Sequence, residues 1–218
     1  MRLLQPLDAG LVLYLPFWEG VGIFTEDVSP FRNHGAINGA SWVNGVIGKA
    51  LSFDGNDYAL IGHKDSLDLQ EFTIALWANT TAIQRAFLAN GGYARGGYHI
   101  GLSGSGRFMI EAMIGGAATG EAKYANTTNL DDGVFRFFVI TLKNHVVTFY
   151  LNGVADGQGT FTGDIFYTGT SNFYVGRREY PGSEIYHIGK VDEVRVYNRA
   201  LTAPEIWEEY YRGARQNY

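Results

Sequence analysis

The sequence predicts an all-β chain built from short strands and tight turns. Three observations carry that expectation. Glycine is abundant at 29 of 218 residues, while proline is scarce at 5. Aromatic residues are plentiful, with 14 Phe, 14 Tyr and 4 Trp, and their bulk suits the half-buried pleat of a sheet better than a helix. Apolar and alternating runs recur every 8–15 residues between clusters of Gly, Asn and Asp, which is the spacing of a sandwich or barrel.

Taken in order, strands are expected near 11–17, 48–54, 57–62, 71–79, 84–90, 97–103, 107–114, 121–126, 134–143, 145–151, 154–160, 172–177 and 187–197. Asn152-Gly153 between Leu151 and Val154 predicts a two-residue hairpin turn, because both residues accept the positive φ that such a turn requires. A second turn is expected at Lys143-Asn144-His145. The segments 135–142 and 72–77 are apolar on both alternating faces, so they belong in the middle of a layered structure. One helix is expected at the C-terminus. Thr202 with Glu205 three residues on makes a capping box. Ile206, Trp207, Tyr210 and Tyr211 supply an apolar stripe, and Gly213 a stop. No repeat or linker interrupts the chain, so a single domain over 1–218 is expected, with its core at about 9–212.

Composition narrows the functions. Without Cys the chain has no disulfide framework, thiolate zinc site or thiol nucleophile. Seventeen basic against 22 acidic residues give a net charge of -5, the wrong balance for a nucleic-acid partner. No run approaches the ~20 apolar residues of a membrane span; the longest, at 11–18, ends at Glu19. Gln5, Pro6 and Asp8 break any signal-like start, so a complete gene product of this sequence would be expected to lack an export signal.

Four segments, in this order, resemble one family. They are Leu-Tyr-Leu-Pro-Phe-Trp-Glu-Gly-Val-Gly at 13–22 with Asn33-His34-Gly35, Val-Asn-Gly-Val-Ile-Gly-Lys-Ala-Leu-Ser-Phe-Asp-Gly at 43–55, Phe-Thr-Ile-Ala-Leu-Trp at 72–77, and Val-Asp-Glu-Val-Arg-Val-Tyr-Asn-Arg-Ala-Leu-Thr at 191–202. Together they are similar to the laminin G-like, concanavalin A-like lectin/glucanase domains. The resemblance implies an antiparallel two-sheet jelly-roll sandwich with one short C-terminal helix. It also implies that the N- and C-terminal strands lie side by side, bringing Glu19 near Asp192. At 134–138, where the family usually carries a Trp-His pair, this chain has Val-Phe-Arg-Phe-Phe.

Three chemistries follow as candidates. The first is a structural calcium ion. Simple alternation puts Asp192 on the face of Val194 and Val196, towards the core, where an unpaired carboxylate is costly. Calcium takes six to eight oxygens, and Glu19, Asp27, Asn33 and Asp192 are the candidate ligands. The competing reading is that Asp192 accepts backbone N–H groups and Asp27 caps a turn. The second is a glycan surface, for which Tyr93 and Arg95 in the loop at 91–98, and Arg178 and Tyr180 in that at 177–184, combine aromatic and polar groups; the competing reading is ordinary turn chemistry with the tyrosines covering a core edge. The third is glycoside hydrolysis, which needs paired acids on one face. No carboxylates show that spacing, and alternation sends Asp192 and Glu193 to opposite faces.

The expectation is therefore a non-catalytic lectin-like recognition domain for a glycan or other surface component, stabilised by calcium. The alternative is an assembly protein, such as a virion decoration, fibre or tail component contacting copies of itself or capsid and tail proteins. A glycosidase is disfavoured.

Overall fold

The computed structural model describes residues 8–92, 96–116, 120–180 and 182–215. Its first strands are β1 (Leu11–Leu15), β2 (Phe24–Thr25), β3 (Gly35–Asn38), β4 (Ser41–Asn44), β5 (Lys49–Asp54) and β6 (Tyr58–Gly62). The middle of the chain forms β7 (Phe72–Thr80), β8 (Arg85–Gly92), β9 (Gly96–Leu102), β10 (Phe108–Met113) and β11 (Gly120–Tyr124). Then come β12 (Arg136–Lys143), β13 (Val146–Leu151), β14 (Val154–Thr160), β15 (Phe173–Val175), β16 (Arg177–Arg178), β17 (Ile185–Tyr186) and β18 (Ile188–Tyr197), followed by helix α1 (Ala203–Ala214).

Two antiparallel sheets form the sandwich. One runs β14-β13-β12-β7-β18-β5-β4, with β1 also on β18; the other runs β11-β10-β9-β8-β15-β6-β3-β2. The jelly-roll expectation is met, and every expected strand has a counterpart. The short strands β2, β3, β4 and β17 escaped the sequence reading, because two to four residues carry little periodicity.

Local chemistry explains the turns. Asn152 and Gly153 have φ of 50° and 80°, and Asn144 and His145 have 49° and 65°. These are the left-handed pairs that close tight hairpins with the twist of their strands. Leu151 pairs with Val154, and Lys143 with Val146.

Between the sheets lies the main core, which includes Leu13, Leu15, Phe72, Phe87, Phe108, Phe138, Phe149 and Val194. A second cluster on the outer face of the first sheet explains why β7 and β12 are apolar on both sides. There Ala75, Trp77, Phe137 and Val139 lie beneath Leu201 and Ile206. The cover is α1, capped by Thr202 and Glu205 as expected. Two details differ from the sequence reading. Gly213 lies inside the helix rather than ending it, and its lack of a side chain serves packing, because a Cβ there would meet the Trp77 indole nitrogen at 2.7 Å. The buried face of α1 carries Ile206, Glu209 and Gly213, while Trp207 and Tyr211 are exposed.

β18 does two jobs. Its first half pairs with β5, through Ile188–Asp54 to Val191–Leu51. Its second half pairs with β1, through Val194–Leu15 to Tyr197–Leu11. The partners change at Asp192-Glu193, where a bulge also interrupts the register against β7. Glu193 takes the left-handed conformation, with φ of 54°.

Candidate functional site

The bulge corrects the expected facing of Asp192. Asp192 pairs with Trp77 across β7, on the outer side, while Val191, Val194 and Val196 face the main core. Asp192 and Glu193 thus share the outer face rather than opposing each other. An extra residue in a strand inverts the parity that simple alternation assumes.

The expected calcium ligands have other partners. Asp192 Oδ2 accepts the N–H groups of Val46 at 2.8 Å and Ile47 at 3.0 Å. Its carboxyl is pushed up to about 7, chiefly by burial, with the charge of Glu193 adding to the effect. Asp27 accepts from the backbone of Tyr14, Ser29 and Asn33 and from the Ser29 hydroxyl, at 2.6–2.8 Å. Glu19 Oε1 accepts from the Glu26 N–H, and Asn33 Nδ2 donates to the Val12 carbonyl. Strands β1 and β18 do lie side by side. Even so, among the described residues no three acidic or histidine side chains gather in a way that could hold a metal ion. Asp192 Oδ1 and Glu19 Oε2 are buried without a hydrogen-bond partner, so both acids keep a free acceptor. The matched oxygens take backbone N–H groups, at a turn for Asp27 and from the 46–47 segment for Asp192.

Of the expected glycan residues, Tyr93 and Arg95 lie outside the described residues. Arg178 and Tyr180 are together, with the guanidinium 5.6 Å from the ring centroid. Arg178 lies over the outer face of the second sheet. There β9 and β10 direct Tyr98, Ile100, Phe108 and Ile110 inward, so by alternation His99, Met109 and Glu111 face outward. Arg178 Nη1 donates to Glu111 Oε2 at 3.2 Å. His99 Nδ1 is 3.6 Å from the same oxygen. Burial, reinforced by the Arg178 charge, drops the imidazole to about 3, so His99 is neutral near pH 7. A groove of about 300 Å³ opens here, flanked by Leu102, Met109, Tyr124 and Ile185. Tyr124 is exposed and carries Arg107 5.4 Å from its ring centroid.

A second cavity, of about 820 Å³, lies on the outer face of the first sheet beside α1. The sequence reading missed it. At its floor Tyr14 Oη donates to Glu193 Oε2 at 2.8 Å and accepts from Arg195 Nη2 at 2.8 Å. Arg195 also pairs with Glu193, places its Nε 3.5 Å from Glu209 Oε2, and stacks 4.1 Å from the Tyr14 ring centroid. Tyr197 Oη donates to Glu209 Oε1 at 3.2 Å. Burial pushes the Tyr14 and Tyr197 hydroxyls well above the usual tyrosine range, so both stay protonated donors. Burial opposes the Arg195 charge, but Glu209 and Glu193 outweigh it and hold the guanidinium protonated. The outward alternation of Glu193 and Arg195 was legible in the sequence. That a helix would seal this face with a third charge, Glu209, was not.

The model of the concanavalin A-like lectin/glucanases superfamily matches residues 53–207. Among curated proteins, none matches this sequence. Domain 4 of AbnA, a GH43 extracellular arabinanase from Geobacillus stearothermophilus, solved in complex with arabinotriose, is similar in fold. It has a TM-score of 0.74 at 18% identity, over 92% of this chain and 98% of that one. The binding domain of Paraclostridial Mosquitocidal Protein 1 has a TM-score of 0.65 at 16% identity, over 94% of this chain. The botulinum neurotoxin serotype G binding domain has 0.70 at 13%, over 93%. This chain spans about half the length of these two toxin domains, 52% and 51% respectively. With two jelly-roll sheets, terminal strands paired on one of them, and a family match over most of its length, the chain belongs to the concanavalin A-like lectin/glucanase superfamily.

Proposed function

We propose that this domain is a non-catalytic recognition module that binds a glycan in the groove of the second sheet. The carrying observation is the floor of that groove. Arg178 and Glu111 offer a fixed donor and acceptor between apolar flanks and the exposed ring of Tyr124. Sugars present both hydroxyls and C–H faces, and this mixture serves both. The arabinotriose complex of the similar arabinanase domain makes short arabino-oligosaccharides a natural first probe.

Absence of catalysis is supported by how the acids are used. Glycoside hydrolysis needs two carboxyl groups facing one bond. In the groove Glu111 is tied to Arg178, and in the cavity Arg195 lies between Glu193 and Glu209 and pairs with both.

The test is titration of an oligosaccharide panel, including arabinotriose, into wild type and Arg178→Ala. A hydrogen bond to a charged group contributes about 1.5–3 kcal/mol, so loss of Arg178 should weaken binding by roughly tenfold or more. A wild type that binds no sugar refutes the reading.

A second reading, as an assembly component, draws on one surface feature. Val21 and Ile23 are 76% and 79% exposed, and Phe24, Val28 and Phe31 of the same segment are also exposed. Apolar side chains clustered this way can mark a protein contact. A concentration-independent monomer in gel filtration would count against it.

A further inference from the structure

The groove of the second sheet holds more positive charge than the Arg178–Glu111 pair accounts for. Arg85, at the start of β8, lines it together with those two residues. Arg178 has Glu111 as its counter-ion, at 3.2 Å. Arg85 has no counter-ion among the described residues. Its one acceptor is the Tyr186 carbonyl, met by Nη1 at 3.5 Å, the limit of a hydrogen bond. Two guanidinium groups face one carboxylate, and His99 is neutral, so the groove carries a positive surplus in a chain whose net charge is -5. Two buried imidazoles feel that field. Burial lowers both first; the Arg178 charge then lowers His99, and the Arg85 charge adds to the lowering of His187.

The donors that matter are within reach. The Nε atoms of Arg85 and Arg178 are buried without partners, so nothing from outside meets them. The Nη2 atoms differ. Among the described residues they too have no hydrogen-bond partner, but they are not buried and so remain open to solvent. A partly desolvated guanidinium without a counter-ion is costly. Its planar fork matches the paired oxygens of a carboxylate or sulfate far better than it matches a lone hydroxyl.

We propose that the groove selects anionic saccharides, with the carboxylate or sulfate of a sugar unit on Arg85 and neighbouring hydroxyls on Arg178 and Glu111. This rests on the reading of the groove as a glycan site, and it adds the charge of the ligand and the residue that reads that charge.

The experiment titrates acidic oligosaccharides, uronic and sulfated, each beside its neutral counterpart, such as trigalacturonate beside galactotriose, into wild type, Arg85→Gln and Arg85→Lys. Poly-glutamate serves as an anion without sugar rings. In wild type an acidic sugar should bind more tightly than its neutral counterpart by about tenfold or more. That preference should largely vanish in Arg85→Gln and return in part in Arg85→Lys. It should also shrink in wild type as salt rises from about 0.01 M to about 1 M, over which the screening length falls from ~30 Å to ~3 Å; this readout needs no variant to fold. A preference for uronic over sulfated sugars, or the reverse, identifies the anion and supports the proposal either way. If neutral sugars bind as tightly as acidic ones, or a folded Arg85→Gln keeps the full preference, the proposal is overturned and the groove stands as a glycan site. Poly-glutamate bound as tightly as the acidic sugars overturns it as well. A folded wild type that binds no sugar overturns the glycan reading itself, and this inference with it.

Discussion

The two outer faces of the sandwich carry similar charged groups in different settings. On the second sheet, Arg178, Glu111 and a neutral His99 line an open groove. On the first sheet, Arg195, Glu193 and Glu209 are buried beneath the C-terminal helix with two tyrosines. The first set is one cation against one anion. The second is one cation against two, so it needs Tyr14 and Tyr197 as neutral donors, and it still leaves one oxygen unmatched. Covering a charged strand face turns ordinary surface ions into a network in which each member depends on the others.

The comparison can be broken by removing the cation from each side. Arg195→Ala leaves two glutamates buried without their partner, and should destabilise the protein by about 3–5 kcal/mol. Arg178→Ala should cost about 1–3 kcal/mol. Chemical denaturation measures both, and equal losses would erase the distinction between the faces.

Next in size are two changes that test how the first face is closed. Gly213→Ala forces a methyl against the Trp77 indole and should cost about 1–3 kcal/mol by overpacking. Asp192→Ala removes the acceptor for the Val46 and Ile47 N–H groups, again about 1–3 kcal/mol. The two Asp192 roles separate cleanly. If Asp192 is a backbone acceptor, excess chelator leaves the melting temperature of wild type unchanged, whereas a calcium site would lower it.

A further contrast is in pH. Burial holds His99 at about 3 and His187 at about 4, below the ordinary 6.5. The unfolded chain therefore binds more protons between those values and 6.5, so each histidine makes stability fall as pH drops through that window. Asp192, raised from 3.8 to about 7, acts in the opposite sense, since the folded form holds its proton longer and stability falls as pH rises from about 4 to 7. Thermal melts of His99→Gln and His187→Gln should show a shallower loss towards acid, and Asp192→Asn a steeper one. Parallel curves for all three and wild type would contradict this.

How far the sequence could be read depends on distance along the chain. The Asn152-Gly153 and Asn144-His145 turns, the Thr202–Glu205 capping box and the doubly apolar β12 are set by neighbours a few residues away, and all stand as expected. The side-by-side terminal strands came through a family resemblance rather than through any local signal. The facing of Asp192 went wrong because the bulge arises where β18 exchanges β5 for β1, and both partners lie more than 130 residues upstream. Gly213 was misread for the same reason, since what it avoids is an indole on β7.

By itself, then, the sequence determined an all-β chain, its longer strands, two of its hairpin turns and its C-terminal helix, because periodicity and turn chemistry act over a few residues. Only the tertiary structure decided which carboxylates are buried, which are satisfied by backbone N–H groups, and which line a cavity. Those outcomes depend on what covers each strand face, and the cover is chosen by tertiary packing, whether it is the next element, as α1 is for β18, or a segment from the other end of the chain, as residues 46–47 are for Asp192.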